Sequence, residues 1–266
     1  MNDTASAGIL GVVQGLTEFL PVSSSGHLVL FQSQLPVAGD TVAFDLGLHM
    51  GTLLPVLWVY RADLARVLTD TFSGSGSFLQ RPGVRLMALV VLGSVPTAVI
   101  GLSLENIFEE MFSNTLSVGV AFAVTGLLLW LTRRAGEAKH TEASMPWVAA
   151  LTIGVVQGLA ITPGISRSGS TIAAAMFLGI EREAAAKYSF LLSIPAIMGA
   201  FLLKAGDLDL SAGNLAPLLT GFVTAAVTGY LALQLLLRFV RSGSLDKFAF
   251  YLWPLAAVSI GLSLAG

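Results

Sequence analysis

Gly11-Val-Val-Gln-Gly-Leu16 and Gly154-Val-Val-Gln-Gly-Leu159 are the same six residues, once in each half of the chain. Each copy runs through a proline into a serine-rich turn, Ser23-Ser24-Ser25-Gly26 in the first and Ser166-Arg167-Ser168-Gly169 in the second. Apolar helices that break at Pro, Gly and Ser clusters in matching positions of two halves mark a membrane protein built from repeats around a midplane site. The chemistry is therefore expected where the two breaks meet.

Composition agrees with that reading. Across 266 residues the hydrophobic share is 55% and the charged share 11%, with a mean hydropathy of +0.80, too little polar surface for a water-soluble globule. A net charge of −2 and the absence of a basic run argue against a nucleic-acid partner. Cysteine is absent, which excludes disulfides, thiolate metal sites and a cysteine nucleophile. The start of the chain lacks the positive region of a signal peptide, so it is expected to be retained.

Six stretches are long enough to cross about 30 Å of hydrocarbon as helices: roughly 42–60, 86–104, 116–132, 188–205, 215–238 and 248–265. The motif regions, 5–40 and 147–180, are apolar but interrupted and read as re-entrant helical hairpins. Basic residues cluster at Arg61 to Arg85, Arg133 to Lys139, Arg182 to Lys187 and Arg238 to Lys247, which the positive-inside rule places in the cytoplasm. The acidic segments 105–115 and 206–214, with Glu105, Glu109, Glu110, Asp207 and Asp209, then lie outside. Because Arg134 and Lys187 are both inside, 147–180 must return to the side it came from. The fold class is all-α integral membrane, a single transmembrane domain over 1–266. Each repeat, about 1–140 and about 147–266, is a re-entrant hairpin plus three spans. Three is odd, so the repeats have inverted topology. The small-residue faces Gly11-x-x-x-Gly15 and Gly154-x-x-x-Gly158 suit close helix packing and would also suit a homodimer.

Twelve of the fourteen basic residues fall in cytoplasmic segments, and Lys204 can snorkel outward from its span. Arg167 is left at membrane depth, where a cation faces a protein interior or an anion. An ion pair with Glu18 is the bland explanation. The surroundings favour a ligand: Ser166, Ser168, Ser170 and Thr171 offer hydroxyls, and Gly164 and Gly169 allow close backbone approach. Hydroxyls, free N–H groups at a helix start and a guanidinium fork suit a phosphate oxyanion. The first turn adds Glu18, Ser23, Ser24, Ser25 and His27, while Gln14 and Gln157 hold equivalent positions in the two copies. Asp45 and His49, four apart, share one helix face near its outer end, which suits either a structural pair or a role beside the site.

The run Gln14-Gly-Leu-Thr-Glu-Phe-Leu-Pro-Val-Ser-Ser-Ser-Gly-His27, followed far downstream by Pro163-Gly-Ile-Ser-Arg-Ser-Gly169, resembles the undecaprenyl-diphosphate phosphatase family, the bacitracin-resistance type of membrane phosphatase. The resemblance covers essentially the whole chain. It implies a multi-pass protein of the bacterial inner membrane. Such an enzyme removes the terminal phosphate of undecaprenyl diphosphate, returning the carrier lipid to peptidoglycan synthesis and conferring bacitracin resistance. It also implies a divalent cation, Mg²⁺ or Ca²⁺, and roles for Gln14 and Glu18, for Ser24 and His27, and for Arg167 with Ser166 and Ser168. Family members often carry Glu where this chain has Gln14, so one carboxylate is missing from the implied set.

On that basis Arg167 is expected to clamp the transferring phosphoryl group, with Gln14, Ser23, Ser25, Ser166, Ser168, Ser170 and Thr171 as further substrate contacts. Glu18 would hold the metal or order a water, with Asp45 as a second oxygen ligand. Ser24 is the proposed nucleophile and His27 its base; a phosphorylated His27 or an activated water stay open. The competing class is a polyprenyl-phosphate flippase or anion transporter, since inverted repeats with broken helices are a transporter architecture. A carrier needs Arg167 but has no use for Glu18, Ser24 and His27 as a proton-handling set.

Overall fold

Each repeated hexapeptide lies in a helix that stops at the turn the sequence anticipates. The first is α1 (Asp3–Phe19), followed after a short break by α2 (Ser24–Gln32). A computed structural model describes residues 3–32, 34–35, 41–73, 77–207 and 212–265 of the chain. The remaining helices are α3 (Thr41–Val59), α4 (Arg61–Ser73), α5 (Pro82–Ser103), α6 (Glu105–Phe112), α7 (Thr115–Leu131), α8 (Trp147–Leu159), α9 (Arg167–Phe177), α10 (Arg182–Lys204), α11 (Ala212–Ser242) and α12 (Ala249–Ala265). Among the described residues there is no strand, only one isolated bridge between His140 and Ile180.

Among the described residues, five helices are long and apolar enough to cross a bilayer: α5, α7, α10, α11 and α12, with α7 extended to Arg134 and α12 begun at Leu245 by 3-10 turns. The sixth expected span corresponds to α3, which meets α4 at a bend of 71°. The sequence reading treats 61–85 as a basic connection and 105–115 as an acidic one; most of the first is α4, and α6 takes up most of the second. α4 carries Arg61 and Arg66 on exposed positions and turns Leu64 and Val67 toward the core. Asp209 lies outside the described residues. Lys204 reaches Glu105 at 3.0 Å and Glu109 at 3.4 Å, which ties the end of α10 to α6. At the other ends of the spans Lys187 joins Asp63 at 2.9 Å and Glu142 at 2.7 Å.

The glycine faces are used inside the chain. α1 runs along α11 with Gly11 against Thr224 and the carbonyl of Gly221, and Gly15 against Thr228 and the carbonyl of Ala225. α8 runs along α5 in the same manner, with Gly154 on the carbonyl of Gly93 and Gly158 on Ile100. A Cβ at any of these positions would collide with its neighbour, so the backbones approach as only small residues allow. Both pairs are parallel, because residue numbers rise together along each contact. The helix before each break is thus held by a helix from the other half of the chain. These faces are consumed by that packing, which removes the sequence-based reason for expecting them to join two copies.

Candidate active site

The two breaks differ in sequence but share a design. In the first, Pro21 and Val22 lead to Ser23, whose φ of 68° lies in the left-handed region. The Ser23 hydroxyl then accepts from Gly26 N at 3.3 Å and lies 3.3 Å from Ser25 Oγ. In the second, Pro163 leads to Gly164 at φ 91°, and Ser166 caps α9 by accepting from Gly169 N at 3.1 Å, with Ser168 Oγ 3.3 Å away. A serine at such a position satisfies one of the donors a helix start leaves open. The N-termini of α2 and α9 therefore carry matching caps, at helix starts whose first-turn N–H groups have no acceptor within the helix.

These two turns touch. Ser168 Oγ donates to the carbonyl of Phe19 at 3.1 Å, covering the end of α1. A Cβ on Gly26 would run into the Cα of Gly164 and the ring of Phe122, and one on Gly169 would meet Pro21. Glycine is required here by contact between the turns.

Glu18 sits at the junction. Its Oε2 accepts from Ser24 Oγ at 2.6 Å and from Gln14 Nε2 at 3.1 Å, and its Oε1 accepts from Arg167 Nη2. His49 Nε2 lies 3.6 Å from the same Oε2. Glu18, Gln14 and Ser24 are buried, and the Arg167 side chain is 17% exposed. Two donor groups have no partner: Arg167 Nη1 and Ser170 Oγ, one turn apart on α9, are buried and unbonded. A guanidinium with one arm held on a carboxylate and the other empty can take an oxyanion without releasing its first partner.

The sequence candidates divide accordingly. Gln14, Glu18, Ser24 and Arg167 form one connected set, with Ser23, Ser25, Ser166 and Ser168 shaping the turns around it. Ser24 Oγ is bonded to Glu18, and His27 turns its ring nitrogens to other partners. Its Nδ1 faces the carbonyl of Ser23 at 2.7 Å and must carry the proton there, so Nε2 accepts from Tyr251 Oη at 2.8 Å. Both ring nitrogens are occupied, so the expected bond from Ser24 to His27 is not made, and the Ser24 hydroxyl donates to Glu18 instead. Thr171 is also set aside as a substrate contact, because it is fully buried, donates to the carbonyl of Arg167 at 2.8 Å and pairs with Ser189 of α10. Asp45 Oδ1 accepts from Gln32 Nε2 at 2.6 Å. His49, Thr125 and Tyr251 are the neighbours that the sequence candidates do not include; only the four-residue step from Asp45 to His49 gave any signal.

The residues do not fit a resident divalent cation. Both Glu18 oxygens are engaged, Gln14 supplies no charge, and among the described residues no three His, Asp or Glu gather into a cluster able to hold a metal. An all-protein Ca²⁺ or Mg²⁺ cage needs several oxygen ligands free to converge.

The family model described as bacitracin resistance protein BacA matches residues 7–258. An undecaprenyl-diphosphatase of Desulfatibacillum aliphaticivorans is 44% identical over 261 residues, covering 94% of this chain and 95% of the relative. An undecaprenyl-diphosphatase of Desulfosudis oleivorans is 47% identical over 266 residues, covering 96% of this chain and 97% of the relative.

Proposed function

The chain belongs to the bacitracin resistance protein BacA family, and we propose on that premise that it hydrolyses undecaprenyl diphosphate to undecaprenyl phosphate and inorganic phosphate. The observation that carries this reading is the Arg167 guanidinium, one arm on Glu18 and the other buried and unbonded, with Ser24 Oγ 2.6 Å from the second oxygen of the same carboxylate.

Each group then has a task. Arg167 Nη1, the unbonded hydroxyl of Ser170 and the N–H groups at the starts of α2 and α9 receive the oxygens of the terminal phosphoryl group, whose charge spreads over them as the bond breaks. Ser24 Oγ attacks the terminal phosphorus while Glu18 Oε2 takes its proton. The anhydride P–O bond breaks, and the prenyl monophosphate leaves with that electron pair. Water then displaces the phosphoryl group from Ser24 Oγ. Glu18 returns its proton to the departing serine oxygen, and both protons of the water leave with the phosphate.

The divalent cation is proposed as a companion of the diphosphate, brought by the substrate's own oxygens, which fits the engaged state of Glu18. Location in the bacterial inner membrane, where the carrier lipid is recycled for peptidoglycan synthesis, follows from the same substrate, and so does bacitracin resistance. The inverted pairing of 1–140 with 147–266 is likewise a proposal, supported by the exchange in which α1 packs on α11 and α8 on α5. The site is complete within one chain, and a homodimer would add contact area in the bilayer and no chemistry.

The test is release of phosphate from a C15 or C55 prenyl diphosphate by purified protein in detergent, where no compartments exist to transport between. Wild type is expected to release phosphate, Arg167→Ala to lose about 10²–10³ in kcat/KM, part of it as weakened binding, while remaining folded, and Arg133→Ala to keep the wild-type value. Arg167→Ala at the wild-type rate would overturn the clamp. A wild type that binds the lipid and releases nothing would favour the carrier reading.

A further inference from the structure

Two contacts outside the reacting groups share a feature: each comes from the last helix of one half and reaches the turn of the other. Thr125 of α7 holds the second turn. Its Oγ1 donates to the carbonyl of Gly164 at 3.1 Å and accepts from Ser166 N at 3.1 Å. The residue is fully buried, and the next side chain along the turn is Arg167. One hydroxyl thus fixes both ends of the stretch that aims the guanidinium.

Tyr251 of α12 holds the first turn at one remove. Its hydroxyl donates to His27 Nε2 at 2.8 Å, and the two rings lie parallel, 7° apart in plane, with centroids 5.8 Å from each other. The Ser23 carbonyl, which can only accept, fixes the tautomer by taking the Nδ1 proton at 2.7 Å, and the tyrosine hydroxyl holds the ring in that orientation. The same carbonyl accepts from His27 N at 3.2 Å. Ser23 needs such restraint, because a left-handed conformation is strained in a residue with a Cβ. Ser24 is its immediate neighbour. Release of the Ser23 carbonyl would let the turn relax and carry the nucleophile off its line.

We propose that Tyr251 and Thr125 are positioning residues, each holding one catalytic turn in its working shape, and that His27 serves the first of them as the link between α12 and Ser23. This rests on the phosphatase reading given above. The two residues act on different halves of the task, so their loss is read in different constants. Tyr251 governs the group that reacts and Thr125 the group that binds.

The experiment is steady-state hydrolysis of a C15 prenyl diphosphate by the purified full chain in detergent, with the folded fraction measured in parallel. Tyr251→Phe keeps the ring and loses one hydrogen bond, worth about a tenfold fall in kcat, with KM within about twofold of wild type. Thr125→Val keeps the shape and loses both bonds, and KM is expected to rise about tenfold with kcat nearly kept. Thr125→Ser, which retains the hydroxyl, is expected to return KM to the wild-type value. If Thr125→Val fails to insert, Thr125→Ala takes its place beside the serine variant. Wild-type constants in Tyr251→Phe and in the Thr125 variant, or losses in both that merely track the folded fraction, would overturn the proposal. An inactive wild type would instead sink the phosphatase reading itself.

Discussion

The turn after α1 and the turn after α8 were built on one plan and put to different uses. Both follow the same hexapeptide and a proline, both cap the next helix with a serine, and both rest their first helix on a partner from the other half. At the position after the capping serine they part. The first turn has Ser24, the proposed nucleophile, 2.6 Å from a carboxylate; the second has Arg167, a cation paired to the same carboxylate. The shared features make two helix starts that face one another, and the residues that differ, Ser24 against Arg167 foremost, give each start its chemistry. Glu18 exists only in the first copy, where Ile161 stands opposite it in the second, and it is the group through which the two turns communicate.

That division of labour can be broken from either side. Ser24→Ala removes the nucleophile and is expected to abolish turnover by about 10³-fold or more in kcat, while prenyl diphosphate still binds. Glu18→Gln keeps the shape and the contact to Arg167 but cannot take a proton, and a loss of about 10²–10⁴ in kcat is expected, measured as phosphate release in detergent. Gly11→Val attacks the shared scaffold instead. The added methyls collide with Thr224 and Gly221, and the overpacking should cost about 1–3 kcal/mol of stability, read as a fall in thermal midpoint with kcat of the folded fraction preserved. The smallest effect is expected from Gln14→Glu, which restores the carboxylate common in the family. It places a second acid beside Glu18 and should raise the dependence of rate on Mg²⁺, whereas chelation leaves the wild-type thermal midpoint unchanged.

The comparison between the turns also explains how much the sequence revealed. The repeated hexapeptide, the matching prolines and the parity of basic segments are local signals, and they marked both breaks and all of the long apolar helices. Glu18, Ser24 and Arg167 were legible because a carboxylate and an arginine at membrane depth are costly and demand partners. The assignment of His27 as base followed from its closeness to Ser24 in the chain. The fold decides otherwise, since α12 brings Tyr251 to the imidazole from the far end of the sequence. Thr171 was misplaced for a similar reason: its position among hydroxyls says nothing of Ser189 arriving on α10. α4 escaped notice because its apolar face is too short for a span and its arginines resemble a loop. Contacts made across the two halves leave no periodic trace in either one.

The central claim is that one turn reacts and the other binds. Equilibrium binding of a C15 prenyl diphosphate to purified Ser24→Ala, with and without Arg167→Ala added, tests it most directly. Ser24→Ala is predicted to bind with an affinity close to the wild-type KM, and the second substitution to weaken binding by about tenfold or more, the loss of a charge-assisted hydrogen bond. Equal binding by the single and double variants, or turnover by Ser24→Ala at the wild-type rate, would contradict it.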